Sequence, residues 1–194
     1  EQIIIENDKL QEAISQVWLD VDLAQKTFGE VETNNLNEYE EQRYRLAEAH
    51  LMLKRELRLP NSSNLDAMAN YFANCKDEAS ASEAYYIQGA YLNYIGENTQ
   101  AMQYLKKAES YRAASIIRGM TYYKMGRISE SEQLYDIALE NYQKALPYLE
   151  EAGLPLYLAS VYRELGRNTH DESRNQYFDK ALEAARFMGD TILQ

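Results

Sequence analysis

Carboxylates are the most plentiful and most closely spaced groups in this chain that could do chemistry. They stand next to one another at Glu40-Glu41, Asp77-Glu78 and Glu150-Glu151. Two neighbouring carboxylates can serve as a general acid and a general base. The chain holds 31 acidic residues, however, and acids spread this widely are typical of the solvated faces of helices. These pairs therefore do not by themselves predict an active site.

Histidine and cysteine are too scarce to build a metal site. The chain contains His50, His170 and a single cysteine, Cys75. They cannot supply the four closely spaced ligands of a structural zinc site. A phosphate-binding loop, a G-x-S-x-G elbow and an H-E-x-x-H motif are also missing from the sequence. We therefore predict that the chain is not an enzyme and that it holds no metal and no cofactor.

The net charge limits the partners that the chain can bind. At −11, the surface repels phosphate backbones and anionic lipid headgroups, so we predict neither nucleic-acid binding nor membrane docking by this segment. No apolar run approaches the ~18 residues that a membrane-spanning helix needs. The chain has 17 tyrosines but only 4 phenylalanines. Tyrosine suits a thin, two-layer structure in which a ring packs while its hydroxyl stays in water.

Apolar and small residues recur at helical spacing on both sides of a turn in the middle of the chain: Tyr85, Gly89 and Leu92 before it, and Ala101, Leu105 and Ala108 after it. Gly96 is suited to end the first helix, since it lacks a Cβ. Asn98 is suited to cap the second helix. The pattern predicts two short antiparallel helices packed closely through small residues. It resembles the tetratricopeptide repeat.

Aligning the whole chain to this pattern predicts about five helix pairs. The strongest repeats span 82–110 and 112–146, and looser pairs span 3–32, 37–75 and 154–188. The alignment places the second strong repeat 30 residues after the first, so that Gly119 matches Gly89 and Gly126 forms a turn. The last pair lies 40 residues further on, with Gly166 in the place of Gly126. We expect Pro147 to kink or end its helix.

Helix pairs of this kind cannot bury their apolar faces alone, so neighbouring pairs must stack. We therefore predict that residues 1–194 form one all-α domain, a right-handed superhelical solenoid. For the helix starts, we expect caps at Asp22, at Ser129 with Glu132, and at Thr169 with Glu172, because these residue types accept hydrogen bonds from the first helical turn.

The resemblance implies that the first helices of successive pairs line a concave groove. Carried over by position, the groove residues that we select are Tyr86, Asn93, Tyr94, Met120, Tyr123, Lys124 and Arg163. Aromatic, methionine and charged side chains of this kind suit an extended or helical peptide of a protein partner. The alternatives are that some of these tyrosines only pack between pairs, or that the groove stacks a small molecule or glycan. The Lys and Asn clamp of chaperone-binding repeats is absent, since Tyr86 and Ala90 stand at matching positions.

A narrower resemblance covers Asp20–Val31, Glu40–Lys54 and Asn64–Glu109. These stretches are similar to the repeat region of bacterial envelope-anchored tetratricopeptide proteins that act in signalling and transcription regulation. The similarity implies a sensor or interaction region in the cell envelope, with the cytoplasm as the alternative. Because the chain starts at Glu1 without a methionine, we also expect it to be a trimmed piece of a longer protein. The partner and the oligomeric state stay open, and a purely structural role in assembly is a third possibility.

Overall fold

The structure, a computed structural model, describes residues 7–55, 59 and 63–192, leaving aside the side chains of 63 and 188–192. The start of the first expected pair, residues 3–6, therefore lies outside the described residues. Within the described part the backbone forms α-helices and no strand. The helices are α1 (Asp8–Gln16), α2 (Val21–Gly29), α3 (Glu38–Lys54), α4 (Ser63–Asn74), α5 (Glu78–Tyr94), α6 (Asn98–Ser110), α7 (Ser115–Ser131), α8 (Tyr135–Ala152), α9 (Pro155–Asn168) and α10 (Ser173–Ile192).

Each odd-numbered helix packs against the helix that follows it, which gives five pairs in the described chain. The pairs stack through α4 on α5, α6 on α7 and α8 on α9, and α5 also touches α3 and α7. The predicted all-α solenoid is confirmed. None of the described helices is both long enough and apolar enough to cross a membrane.

Short polar side chains start the N-terminal helices. Asn7 caps α1, and Asn37 caps α3 in a reciprocal box with Glu40. Asp20 caps α2 by accepting hydrogen bonds from the amides of Asp22 and Leu23, so the predicted cap at Asp22 was two residues late. Each capping side chain accepts a hydrogen bond from a backbone amide that the first helical turn leaves unpaired. These residues therefore fix where the helices begin.

Three other predicted caps were also wrong. Asn98 is already the first residue of α6, and its side-chain amide donates to Glu132 across the neighbouring turn. Ser129 is buried inside α7. At the start of α10, the carboxylate of Asp171, and not Thr169, accepts a hydrogen bond from the amide of Ser173 at 2.8 Å. Each of these predictions placed the helix boundary a few residues from its observed position.

Glycine packing sets the register of the repeats. A Cβ on Gly89 would lie 2.8 Å from Leu105, one on Gly126 would lie 2.5 Å from the Tyr142 ring, and one on Gly166 would lie 2.9 Å from Phe178. Gly119 has a similar contact, 2.7 Å from Leu149, but Gly89, Gly126 and Gly166 are each the twelfth residue of their helix and are therefore the equivalent positions. Gly126 lies inside α7 and forms no turn, which contradicts the alignment of Gly126 with Gly96. The alignment slipped by seven residues, about two helical turns, so the same face still pointed inward.

The turn between α7 and α8 follows Ser131, where Gln133 adopts a left-handed φ of 62°. Gly96 holds the corresponding place after α5 with φ 88°. A glutamine gives no sequence signal for this conformation, which usually favours glycine. Pro147 does not end its helix, since α8 continues through it to Ala152.

Two separate apolar cores hold the chain together. The smaller core joins α1 and α2 to one side of α3 and includes Leu10, Phe28 and Leu51. The larger core runs from α3 and α4 to α9 and includes Phe72 and Tyr142. Trp18, in the turn between α1 and α2, packs against the larger core although the helices that flank it belong to the smaller one.

Candidate functional site

We call the side of α3, α5, α7 and α9 that carries His50, Tyr86, Tyr123 and Arg163 the concave face, after the groove that the repeat resemblance predicts there. Tyr86, Met120 and Tyr123, three of the predicted groove residues, are buried, at 3, 6 and 9% exposure. Lys124 is half-buried and Arg163 is exposed. The structure thus brings Tyr86, Tyr123 and Arg163 to one face but leaves little of the two tyrosines open to solvent.

Asn93 and Tyr94 do not join this face of packed rings. They lie in the last turn of α5, where the Asn93 amide donates to the side chain of Asn98 at 3.1 Å. Tyr94 is 56% exposed at the edge formed by the turn. Asn93 therefore supports the turn between α5 and α6, and Tyr94 lies at its rim.

Trp18 fills the N-terminal part of the concave face. Its ring lies edge-to-face against His50 and Tyr157, with centroids 4.5 and 5.5 Å apart, and its centroid is 6.1 Å from that of Tyr86. The four rings come from the α1–α2 turn and from α3, α5 and α9. The groove is therefore closed here by the chain itself, which is why Tyr86 is buried.

Lys54 lies inside this aromatic group. Its ammonium is 4.0 Å from the centroid of the Trp18 ring and 5.0 Å from that of Tyr157, and it donates a hydrogen bond to the Tyr157 hydroxyl. Aromatic faces attract a cation in this geometry. Burial lowers the pKa of Lys54 to about 8 and raises the pKa of Tyr157 to about 12. Within the described residues, no carboxylate lies within ion-pair distance of Lys54.

A buried ion network supports the closed part. His50 Nδ1 is 2.8 Å from Glu83 Oε1, and Arg43 donates to Glu83 Oε2 at 3.2 Å and to Ser80 Oγ at 2.7 Å. Burial lowers the pKa of His50. Burial alone would raise the pKa of Glu83, but the hydrogen bond with His50 and the charge of Arg43 outweigh it and hold that pKa well below its usual range. Glu83 is therefore ionised and a neutral His50 donates to it.

A neutral His50 that donates through Nδ1 leaves Nε2 as an acceptor, and this buried nitrogen has no hydrogen-bond partner in the described part of the chain. A His–carboxylate pair also occurs in catalytic triads, where the histidine activates a nucleophile. Here the nearby hydroxyl, Ser80, is held by Arg43 instead. Among the described residues, no group of three or more His, Cys, Asp or Glu side chains could hold a metal ion. The pair therefore fits a buried structural ion network.

Arginines occupy the C-terminal part of the concave face. We call Arg127, Arg163 and Arg167 the arginine cluster. The carboxylate of Glu164, which is fully buried, accepts from Arg163 at 2.8 Å and from Arg167 at 3.2 Å, while these two side chains stay 55 and 59% exposed. Arg127 donates to the Tyr123 hydroxyl at 3.4 Å. The buried carboxylate thus orients two guanidinium groups toward solvent in a chain whose net charge is −11.

Sequence reasoning missed most of this face. Arg163 was among the predicted residues, but Arg127 and Arg167 were not. The i, i+4 spacing of Arg163 and Arg167 is a signal that could have linked them. The corrected register also aligns Tyr86 with Tyr123. The position of Trp18, in a turn outside the repeat pattern, has no comparable signal.

Comparison with known proteins gives relatives by sequence and by structure. No family model matches the chain. Over 106 residues the chain is 31% identical to the Photosystem I assembly protein Ycf3 of Prochlorococcus marinus strains MIT 9301 and MIT 9312. This match covers 51% of this chain and 60% of each relative. The chain therefore spans less than two thirds of the length of these relatives.

A solved structure, the crystal structure of MamA, resembles the chain along nearly its whole length. The TM-score is 0.53 at 21% sequence identity, and the match covers 97% of this chain and 99% of the other. At this identity the likeness concerns the fold alone.

Proposed function

Since the chain folds as a tetratricopeptide-like solenoid, we propose that it is a non-enzymatic protein-interaction scaffold whose concave face binds an acidic segment of a partner. The observation that carries this proposal is the arginine cluster, held in place by the buried carboxylate of Glu164. The name of the sequence relatives, an assembly protein, agrees with a scaffold role.

The arginine cluster has donors to spare. A guanidinium carries five N–H donors in a planar fork, and Glu164 engages only some of those on Arg163 and Arg167. Arg167 also lies 3.8 Å from Glu130, and the donors that these two carboxylates leave over can contact the carboxylates of a ligand. Holding the side chains in advance reduces the conformational entropy that binding would cost. An anionic ligand is therefore favoured over a neutral one.

A peptide fits this surface better than a stacked sugar does. The cluster extends over α7 and α9, the first helices of successive pairs, so a ligand that contacts all three arginines must bridge two helices, as an extended peptide can. Sugar stacking would require open aromatic faces, whereas Tyr86 and Tyr123 are buried. The glycan-binding alternative therefore has less support than the peptide.

The sequence resemblance to envelope-anchored regulators supports a finer proposal. In it, the scaffold is the sensor or interaction region of a bacterial regulatory protein in the cell envelope. The net charge of −11 agrees with a partner that is a protein and not a nucleic acid.

A labelled poly-glutamate peptide tests the proposed site by fluorescence anisotropy at low salt. We expect the wild-type chain to bind it despite the overall negative charge, and the double variant Arg127→Ala/Arg163→Ala to bind about tenfold more weakly, because two charge-assisted contacts are lost. The control variant is Lys106→Ala/Lys144→Ala, which removes the same charge from α6 and α8. Equal weakening by the control, or no binding by the wild-type chain, would contradict the proposal.

A further inference from the structure

Trp18 is placed so that it can leave the concave face without unfolding the helices. It is half-buried in the turn between α1 and α2, and its neighbour Leu19 is 69% exposed. The two flanking helices keep their own core, which includes Ala13, Ala24 and Phe28. Moving the indole out of the site would therefore remove its contacts with the larger core and leave intact the smaller core that holds α1 and α2.

The walls around Trp18 are held by contacts other than those with the indole. His50 is fixed by Glu83 at 2.8 Å, and Tyr157 is fixed by its hydrogen bond from Lys54. Tyr86 is buried within the larger core. These residues belong to α3, α5 and α9, and each keeps a contact that does not depend on the indole. We call the space lined by His50, Lys54, Tyr86 and Tyr157 the Trp18 pocket.

The Trp18 pocket keeps polar groups that its present occupant does not satisfy. His50 Nε2 is a buried acceptor without a hydrogen-bond partner in the described part of the chain. Lys54 carries a charge with no carboxylate near it among the described side chains, although it touches two aromatic rings. An occupant that brings a ring together with a carboxylate would keep the ring contacts and pair Lys54, while His50 Nε2, an acceptor, would need a donor from another group of the occupant.

We infer that the Trp18 pocket is an anchor site for an aromatic side chain of the partner, flanked by acidic residues, and that Trp18 is an internal competitor which this side chain displaces. The inference rests on the proposed function, because the arginine cluster lies on the same face. Tyr86 and Tyr123 occupy equivalent positions of α5 and α7 and lie close to each other, so one segment reaches both sites. Crossing one or two helix spacings takes about three to six extended residues.

The experiment compares two poly-glutamate peptides, one with a single central phenylalanine and the other with alanine at that place. Trp18 is the only tryptophan, so its emission reports directly on the pocket. We expect the phenylalanine peptide to bind about tenfold more tightly than the alanine peptide. We also expect it to shift the Trp18 emission to the red and to increase quenching by acrylamide, since the displaced indole enters water.

Removing the competitor gives the second measurement. Trp18→Ala should raise the affinity for the phenylalanine peptide several-fold and leave that for the alanine peptide unchanged. Tyr135→Ala removes an exposed ring from α8 and serves as the matched control. Thermal melts check that each variant folds. If Trp18→Ala does not fold, Trp18→Leu and the emission of the wild-type chain test whether the phenylalanine displaces Trp18.

The outcomes separate this inference from the proposed function. Equal binding of both peptides with unchanged Trp18 emission would overturn the inference and leave the arginine cluster as the binding site. A folded Trp18 variant that loses affinity for the phenylalanine peptide would also overturn it, because Trp18 would then be part of the site. Failure of the wild-type chain to bind either peptide would contradict the proposed function itself.

Discussion

The indole of Trp18 and the phenol of Tyr157 lie edge-to-face with their ring centroids 5.5 Å apart, although they come from opposite ends of the chain. Lys54 bridges them by facing both rings. An open solenoid would leave its first and last pairs apart. Here the concave face has a closed aromatic part and an open part that presents arginines.

Replacing Trp18 by alanine should lower the free energy of unfolding by about 2 kcal/mol. Truncating a fully buried aromatic residue costs roughly 3–5 kcal/mol, and this ring is only half-buried. The measurement is urea denaturation followed by circular dichroism. Leu19→Ala changes the neighbouring, exposed residue and should stay within about 0.5 kcal/mol of the wild-type value. If Trp18→Ala lowers the free energy of unfolding as little as Leu19→Ala does, the Trp18 contacts contribute little to stability.

Gly126→Ala should destabilise the fold by about 1–3 kcal/mol, because its Cβ would lie 2.5 Å from the ring of Tyr142 inside the core. Gly29→Ala is the matched control on α2. No atom lies within 4 Å of its added Cβ, so alanine should stabilise the helix by roughly 0.5 kcal/mol. Chemical denaturation of both variants checks the pair. A neutral Gly126→Ala would contradict the packing register.

Gly126 also shows how far the sequence determines the fold. The small residues Gly89, Ala101 and Ala108 were enough to predict helix pairs, because only small residues let two backbones approach closely. They did not fix the register, since the marker of the α7–α8 turn is Gln133 in a left-handed conformation. The sequence alignment was wrong by seven residues, which is about two helical turns, so each residue kept its side of the helix. Residues aligned with the wrong repeat position therefore still lie on the concave face.

The candidate site was less predictable than the fold. Repeat spacing assigns a face to each helical residue, and from it we selected Tyr86, Tyr123 and Arg163 as groove residues. It gives no information about turns between helices, so the closure by Trp18 could not be predicted. The pairing of His50 with Glu83 depends on how α3 lies along α5, which is a tertiary relationship without a local sequence signal.

Acidification should destabilise the fold through His50 and Glu83. Both pKa values are lower in the folded chain than in the unfolded one, so the unfolded chain binds more protons as the pH falls. The loss should begin below about pH 6.5 through His50 and continue below about pH 4.3 through Glu83. Urea denaturation over this range measures it. Glu83→Gln should cost about 3 kcal/mol at neutral pH and remove the lower part of the pH dependence. A variant with the wild-type slope would contradict this assignment.

Lys54 should extend the same trend to alkaline pH, so that stability continues to rise with pH there. Burial lowers its pKa to about 8 in the folded chain, whereas an unfolded lysine has a pKa of about 10.4. Between these values the unfolded chain binds more protons, so this residue makes stability rise with pH. The contribution should be visible up to about pH 10, where tyrosines with raised pKa values, such as Tyr157, begin to oppose it.

Lys54→Met isolates this contribution, because methionine keeps the length of the side chain and removes the charge. We expect a neutral or slightly stabilising effect at pH 7, since a buried charge without a carboxylate partner is replaced by an apolar group. Urea denaturation at about pH 7 and about pH 9 should show a gain in stability for the wild-type chain and a smaller gain for the variant. Lys106→Met, on the exposed side of α6, should behave like the wild-type chain. If Lys54→Met loses several kcal/mol instead, the ammonium between Trp18 and Tyr157 is a main support of the closed face, and the cation–π contacts outweigh the cost of burying the charge.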